Sequence, residues 1–208
     1  MRKAVFGALA LLLASGLEAQ EGKQISDCRL RPGTLCAGMD LQSIRAPGAD
    51  LSNAQFSGSD MAGATLRQAR LDGANLTKAD LHGADLAQAS LVEADLRGAV
   101  LAGTNLEQAR LSGAILQDAY LQAANLRKAD LSGAGLFGAE LNHAHLDGAN
   151  LLRADLRAAN LAGASLNGAD LRGADFTNAN LTGADLRGAR IDGSNFTRAI
   201  MAGCLGCP

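Results

Sequence analysis

The sequence predicts a solenoid, a fold in which short structural units stack along one axis. Three observations support this fold class. Residues 49–203 consist of thirty-one five-residue units in tandem, without an insertion or a deletion. Each unit has an apolar residue at its centre, and a small residue, usually Ala, two positions before that centre. The chain has no Trp and one Tyr, which suits a narrow core. Stacked units of this kind bury one continuous apolar column.

The five-residue period excludes both a regular helix and a straight strand. Five residues of an α-helix advance by about 500°, so successive centres would be offset by about 140° and the helix would be apolar all round. Side chains of a strand alternate between faces, so an odd repeat would send successive centres to opposite faces. The chain must therefore turn once in every unit, and every centre can then point at the same axis.

Within a unit the commonest order is Ala, then Asp or Asn, then Leu, then two variable residues, as in the run ADLRGADFTNANLTGADLRGAR. This uninterrupted pattern resembles the pentapeptide-repeat family over about three quarters of the chain. The resemblance implies an all-β fold, a right-handed quadrilateral β-helix of about eight coils, with four units and twenty residues per coil. The spacing of Phe56, Phe176 and Phe196 by multiples of twenty favours this coil, because a fifteen-residue coil would scatter them.

Residues 1–19 have the pattern of a secretory signal peptide. Arg2 and Lys3 precede an apolar run over residues 4–13, and small residues follow with a cleavage site after Ala19. The apolar run is shorter than the roughly 20 residues that span a membrane. We therefore expect a mature chain without a membrane span, in the periplasm or secreted, with a lumenal compartment as the alternative.

Residues 20–48 lack the repeat and contain Pro32, Gly33, Pro47 and Gly48 as breakers, with Leu41 as a degenerate first centre. We expect a short irregular N-terminal cap that covers the apolar cross-section and strand edges of the first coil. At the other end, a tail of residues 204–208 follows the last repeat. Either this tail closes the last coil, or two C-terminal ends stack in a homodimer.

The four cysteines, Cys28, Cys36, Cys204 and Cys207, all lie outside the repeats. In an oxidising compartment the natural pairing is within each pair, with Cys28–Cys36 as a structural staple. For Cys204 and Cys207 a terminal disulfide competes with an intermolecular bridge, a redox pair, free thiols and a metal site. Coils stacked at roughly 4.8 Å place the two pairs on the order of 37 Å apart, which excludes one shared zinc site.

The sequence contains no motif of an enzyme. It has no nucleophile with an ordered base, no phosphate-binding or dinucleotide-binding glycine pattern, and no zinc-protease motif. A filled rod also leaves no room for a cleft, and no inserted loop carries one. We therefore expect a protein without catalytic activity and without a cofactor.

The three histidines are the remaining candidates for chemistry. His143 and His145 fall on one corner, with Glu140 and Asp147 near enough in sequence to suggest a metal site. His82 lies three coils away and cannot join them. Outward positions on such a rod are usually only solvated, so we assign no metal site.

One known role within the family is mimicry of DNA towards a topoisomerase. Charge opposes that role for this chain, because the repeats hold seventeen acidic and thirteen basic residues. DNA of similar length carries roughly 22 negative charges. Arg70, Arg110 and Arg190 share one outward column, and an exported protein would not meet a topoisomerase. We expect no nucleic-acid partner.

A cluster of apolar residues interrupts the polar surface. Val100 and Tyr120 share an outward column one coil apart, Ile115 lies on the adjoining face, and Phe137 lies one coil further on. Such a cluster can mark a contact site, although neutral variation of the sequence at surface positions that tolerate substitution also explains it. The predicted function is a rigid scaffold or protein-interaction rod whose protein partner the sequence does not identify. The alternatives are a DNA-mimicking topoisomerase binder and a periplasmic redox or metal-binding protein.

Overall fold

The structure is a computed structural model that describes residues 28–208, in which the backbone repeats every twenty residues. Isolated parallel β-bridges join each residue that precedes a centre to the residue twenty positions later. They run from Leu35–Gln55 to Asp185–Leu205. Within residues 28–208 these single-residue bridges are the only strand-like elements, and no helix occurs. Four turns in twenty residues make each coil four-sided, so the prediction of twenty residues per coil is confirmed.

Stacked aromatic rings inside the rod give the same register. Phe176 and Phe196 lie one coil apart, with ring centroids 4.9 Å apart and planes inclined by 2°. This separation equals the spacing of neighbouring strands in a sheet. The centres of successive coils therefore lie directly above one another.

Each unit closes with a hydrogen-bonded turn. The N–H group of Ala54 donates to the carbonyl oxygen of Leu51 at 3.1 Å, and this bond recurs along the rod. The second residue after each centre has a positive φ, as a type II turn requires. Gly58 has a φ of 63° and Gly173 a φ of 68°. Fifteen residues other than glycine also adopt a positive φ, so the neighbouring coils impose this conformation even where the sequence does not favour it.

All five backbone N–H groups find an acceptor in a unit that has Asp before its centre, such as the one around Leu51. In the unit that begins at Leu51, three donate to neighbouring coils: Leu51 to Arg70 at 2.7 Å, Asn53 to Asp72 at 2.9 Å, and Gln55 to Thr34 at 2.7 Å. The N–H group of Ala54 closes the turn, and that of Ser52 donates to the Asp50 carboxylate at 3.1 Å. The preference for Asp or Asn before the centre therefore reflects a backbone donor that no carbonyl accepts.

The core is the column formed by the centres and by the small residues two positions before them. The centres from Leu41 to Leu186 are buried, and so are the small residues from Ala54 to Ala184. Ser59 and Thr104 stand where most units have Ala, and their hydroxyl groups donate to the carbonyl oxygens of Phe56 and Leu81, respectively, each at 2.7 Å. No buried side-chain N or O atom in the described part of the chain lacks a hydrogen-bond partner.

The structure differs from the expected irregular cap over residues 20–48. Residues 1–27, which include the predicted signal peptide of residues 1–19, lie outside the described residues. From residue 31 onwards the backbone already has the turns and bridges of the repeats, beginning with the Leu35–Gln55 bridge. Cys36, Leu41 and Ala46 occupy buried centre positions here. The sequence pattern misses this coil because large and small residues exchange places, as at Ile44 and Ala46.

The C-terminal residues also continue the coil. Leu205 donates from its N–H group to Ala184 at 2.9 Å and accepts from Leu186 at 2.7 Å, so the stacking extends beyond residue 203. Ile191, Phe196 and Met201 are only half-buried, because no further coil covers them within the described residues. The end of the rod therefore presents an apolar cross-section.

Substitutions at two glycines of one coil distinguish the effect of backbone strain from the effect of side-chain crowding. A Cβ atom at Gly133 or at Gly135 meets no atom within 4 Å, but only Gly133 has a positive φ, of 64°. We expect Gly133→Ala to lower the free energy of unfolding by about 1 kcal/mol, because an L-residue is disfavoured there. Gly135→Ala, the matched control, should keep or slightly raise it. Urea unfolding followed by circular dichroism measures both, and equal losses would contradict this account of the turn.

Candidate interaction surface

Three positions in each unit point away from the core: the residue before the centre and the two turn residues after it. The other two positions are buried along most of the rod. Any binding chemistry must therefore come from the outward positions. Departures from the polar pattern at these positions are therefore the candidates for a binding surface.

The residues of the predicted apolar cluster lie on two adjoining faces and at the corner between them, and we call this set the corner patch: Val100, Ile115, Tyr120 and Phe137. A bridge joins Val100 to Tyr120 in the next coil. Ile115 lies one unit before Tyr120, on the adjoining face, and Phe137 lies at the corner between these faces in the following coil. Ile115, Tyr120 and Phe137 are 42%, 47% and 41% exposed, and Val100 is half-buried. The patch therefore wraps one edge of the rod over three coils.

Gly135 leaves a gap beside the patch. It bridges Ile115 in the preceding coil and Asp155 in the following one, and Phe137 lies two residues further along the chain. It is the one described glycine that stands immediately before a centre, where every other unit has a side chain. A Cβ atom placed there meets nothing within 4 Å. We call this space the Gly135 notch, with Ile115 and Phe137 as its two apolar walls and Asp155 at its border in the following coil.

The arginines next to the patch already have carboxylate partners. Arg157 donates to Asp155 from Nε and from Nη2, both at 2.7 Å, and its guanidinium lies 5.7 Å from the centre of the Phe137 ring. Arg97 donates from Nε to Asp95 at 2.9 Å. The hydrogen bonds from these arginines lower the pKa of Asp95 and of Asp155. Neither guanidinium is free to bind an acidic partner without giving up its own carboxylate.

Asp118 lies at the corner of the patch, in the turn between Ile115 and Tyr120. Its carboxylate accepts a 3.3 Å hydrogen bond from the Gln117 side chain and forms no ion pair within the described residues. The carboxylate occupies the space above Gly138, in the next coil, where a Cβ atom would collide with it. Asp118 and Gly135 were not identified as site residues from the sequence. A signal for Gly135 was visible, because it stands two residues after Gly133 and so departs from the five-residue spacing of the glycines.

The structure joins Cys28 to Cys36 and Cys204 to Cys207 in two disulfides, with Cα atoms 5.4 and 5.9 Å apart. Cys28 and Cys36 are buried against the N-terminal end of the core. Cys204 and Cys207 are half-buried in the last turn, where Gly206 packs against the backbone of Leu186.

The histidine corner does not form a metal centre in the described residues. No group of three or more His, Cys, Asp or Glu residues is placed to hold an ion there. Glu140 accepts a 2.7 Å hydrogen bond from Asn160. Asp147 accepts hydrogen bonds from Ser165 and Asn167 and lies 3.3 Å from Arg127. Desolvation raises the pKa of Asp147, but these hydrogen bonds and Arg127 outweigh it and lower the pKa overall.

The arginine column that opposes DNA mimicry is partly neutralised. Arg70 lies 3.5 Å from Asp50, and Arg190 lies 3.6 Å from Asp170, each in the neighbouring coil. Arg110 stands in the same column without an ion pair in the described part of the chain. This face therefore carries both acidic and basic residues along the rod.

Comparisons with known proteins give one family. A family model for pentapeptide repeats matches in eight copies over residues 49–88, 79–118, 114–151, 136–173, 154–193 and 179–204. HetL is a pentapeptide repeat protein involved in heterocyst differentiation regulation, from the cyanobacterium Nostoc sp. strain PCC 7120. It is 34% identical, and the match covers 83% of this chain and 87% of HetL with a TM-score of 0.54.

Two further solved structures are similar. A pentapeptide repeat protein from the thylakoid lumen of Arabidopsis thaliana is 36% identical over 48% of this chain and 66% of its own, with a TM-score of 0.31. The plasmid-mediated fluoroquinolone resistance protein QnrB1 is 22% identical over 84% of this chain and 90% of its own, with a TM-score of 0.47. No curated protein matches the chain.

The ion pair of Asp170 predicts a dependence of stability on pH. Hydrogen bonds from Arg172 lower the pKa of Asp170 to about 2, and Arg190 assists. Because the folded value lies below the unfolded value of 3.8, the stabilisation is complete above about pH 4 and is lost as the pH falls towards 2. We expect Asp170→Asn to lower the melting temperature at pH 7 and to flatten its decline below pH 4. Molar salt should shrink the difference.

The matched control is Asp60→Asn, which changes a carboxylate at the same position of its unit without an arginine partner. Its melting curve should keep the wild-type slope between pH 4 and 2. An equal change of slope in both variants would show that the Arg172 pair does not cause the effect.

Proposed function

Because the chain belongs to the pentapeptide-repeat family, we propose that it is a non-enzymatic rigid rod that binds or scaffolds another protein outside the cytoplasm. Proteins of this family are generally scaffold or interaction proteins. The family implies a right-handed quadrilateral β-helix for the coils described above. The corner patch is the observation on which the proposal depends, because it places three exposed apolar side chains together on a rod whose core is complete without them.

The proposed location is the periplasm or the outside of the cell, with a lumen as the alternative. It rests on the pattern of residues 1–19 and on the two disulfides, which suit an oxidising compartment. Residues 28–208 contain no helix of the length and hydrophobicity that a membrane span needs. The rod would then meet its partner in the envelope or beyond it.

The experiment for this function is affinity purification from the native envelope fraction, with the wild-type chain and Tyr120→Ala as baits. We expect Tyr120→Ala to lose the partner at an unchanged melting temperature, because Tyr120 lies outside the core. Arg110→Ala, at the same position of its unit on another face, is the control and should retain the partner. Equal recovery by all three baits would remove the corner patch from the function, and no recovery by any of them would contradict a binding rod.

We also propose that two copies stack through their C-terminal ends. Ile191, Phe196 and Met201 expose part of the core there, and Ile200 and Leu205 beside them are 57% and 49% exposed. The backbone N–H groups of these three centres have no acceptor in the described residues, whereas the equivalent groups of earlier coils bond to the next coil. A second copy would cover an open strand edge as well as apolar area.

Sedimentation velocity tests the stacked dimer. The wild-type chain should sediment as a dimer, and Met201→Arg should shift it to a monomer, because a charge would be buried between the ends. Leu35→Arg, which changes an exposed apolar residue near the other end of the described rod and outside the corner patch, is the control and should leave the dimer intact. A monomeric wild-type protein at micromolar concentration would end this proposal.

A further inference from the structure

We propose that the corner patch, with the Gly135 notch and Asp118, binds a protein segment that presents an aliphatic side chain next to a Lys or Arg. This inference rests on the proposed function, since it specifies the partner chemistry of the same surface. Three features of the structure support it: an open notch with two apolar walls, a carboxylate without a cationic partner in the described residues, and acidic residues around the patch.

The notch fits one aliphatic side chain. Its floor is the backbone of Gly135, and Ile115 and Phe137, both about two-fifths exposed, are its apolar walls. Asp155, which is already bonded to Arg157, borders it on the side of the following coil. The neighbouring coils cannot close it, because the bridges fix each coil against the next and no side chain fills the position. A Leu or Met side chain entering there would bury its own apolar surface together with that of both walls.

The backbone around the notch cannot add a strand. The N–H group of Gly135 donates to Ala114 at 2.9 Å, and its carbonyl oxygen accepts from Leu116 at 2.7 Å. Both groups are thus used within the rod, which excludes recognition by β-strand addition at this place. The occupant must be recognised through its side chains.

Asp118 determines which charge the partner carries beside the notch. Its carboxylate has no cationic partner in the described residues and stands at the corner between Ile115 and Tyr120. A Lys or Arg that follows the aliphatic residue of the partner can reach it, while the stem of that side chain lies along the Tyr120 ring. An acidic residue there would face an unpaired like charge.

The residues that flank the patch are acidic as well. Asp80 precedes Val100 in its column and Glu140 follows Tyr120, and neither forms an ion pair within the described residues. Lys78 is the one cation of this corner that has no carboxylate partner there, because Arg97 and Arg157 are bound to Asp95 and Asp155. The charges therefore favour a basic partner over an acidic one.

The test uses three short fluorescein-labelled peptides of equal length and measures fluorescence polarisation with the purified chain. One peptide alternates Leu and Lys, the second alternates Leu and Glu, and the third alternates Ser and Lys. We expect only the Leu/Lys peptide to bind, with the other two roughly tenfold weaker or more. Equal binding of the Leu/Glu peptide would overturn the charge argument, and equal binding of the Ser/Lys peptide would overturn the notch.

Two variants locate the binding. Gly135→Val fills the notch without backbone strain and should weaken the Leu/Lys peptide roughly tenfold or more. Asp118→Asn keeps the shape and should weaken it several-fold at low salt, with a smaller effect in molar salt. Thr65→Val and Glu93→Gln make the corresponding changes at the same unit positions on other parts of the rod, and both should bind like the wild type. Wild-type affinity in Gly135→Val and Asp118→Asn would overturn the proposal.

The same variants separate this site from the proposed function. If Gly135→Val and Asp118→Asn recover the wild-type set of envelope proteins, the site is wrong and the binding rod stands. If the wild-type chain recovers no protein while the peptide pattern holds, the site stands and the proposed function is wrong. If Gly135→Val instead dissociates a wild-type dimer in sedimentation, a second copy is the occupant and a basic partner segment is excluded.

Discussion

The hydrogen bonding of the backbone N–H groups is the constraint on which the rest of this structure depends. A five-residue unit has five donors, and three of them reach the neighbouring coils, as from Leu51, Asn53 and Gln55. One closes the turn and one needs a side-chain oxygen, which Asp50 supplies. Because these bonds require the next coil to lie twenty residues away, one unit out of register would disturb every coil beyond it. The absence of insertions over residues 49–203 follows from this coupling.

The same constraint decides where function can be encoded. The centre and the small residue fill the column. The side chain before the centre often accepts the hydrogen bond of the first turn N–H group, and the second turn residue must adopt a positive φ. A substitution at the outward positions costs little, so the rod tolerates an exposed Tyr120 or a missing side chain at Gly135. Such departures cost the fold little, and they are therefore the places where binding chemistry can be added.

Much of the fold could be predicted from the sequence, because the period alone requires one turn per unit and the phenylalanine spacing indicates twenty residues per coil. The start of the coil could not be predicted. Ile44 and Ala46 exchange the large and small positions, so the pattern is lost while the packed volume is kept. The surface was predictable only in part, since an exposed Phe137 is visible as a departure from polarity. A notch depends on what the adjacent coils place around Gly135, which no local pattern contains.

Rigidity is what makes a shallow surface such as the corner patch useful. Each of its residues is held by coils above and below, with Val100 bonded in register to Tyr120 and Gly135 to Ile115. A partner would therefore not have to order a loop on binding, and the conformational cost would fall mainly on the partner segment. A shallow notch and a single carboxylate can then suffice for selectivity, because the backbone that carries both is fixed by the neighbouring coils. The regular core of the rod contributes to recognition in this way, even though its buried residues do not contact the partner.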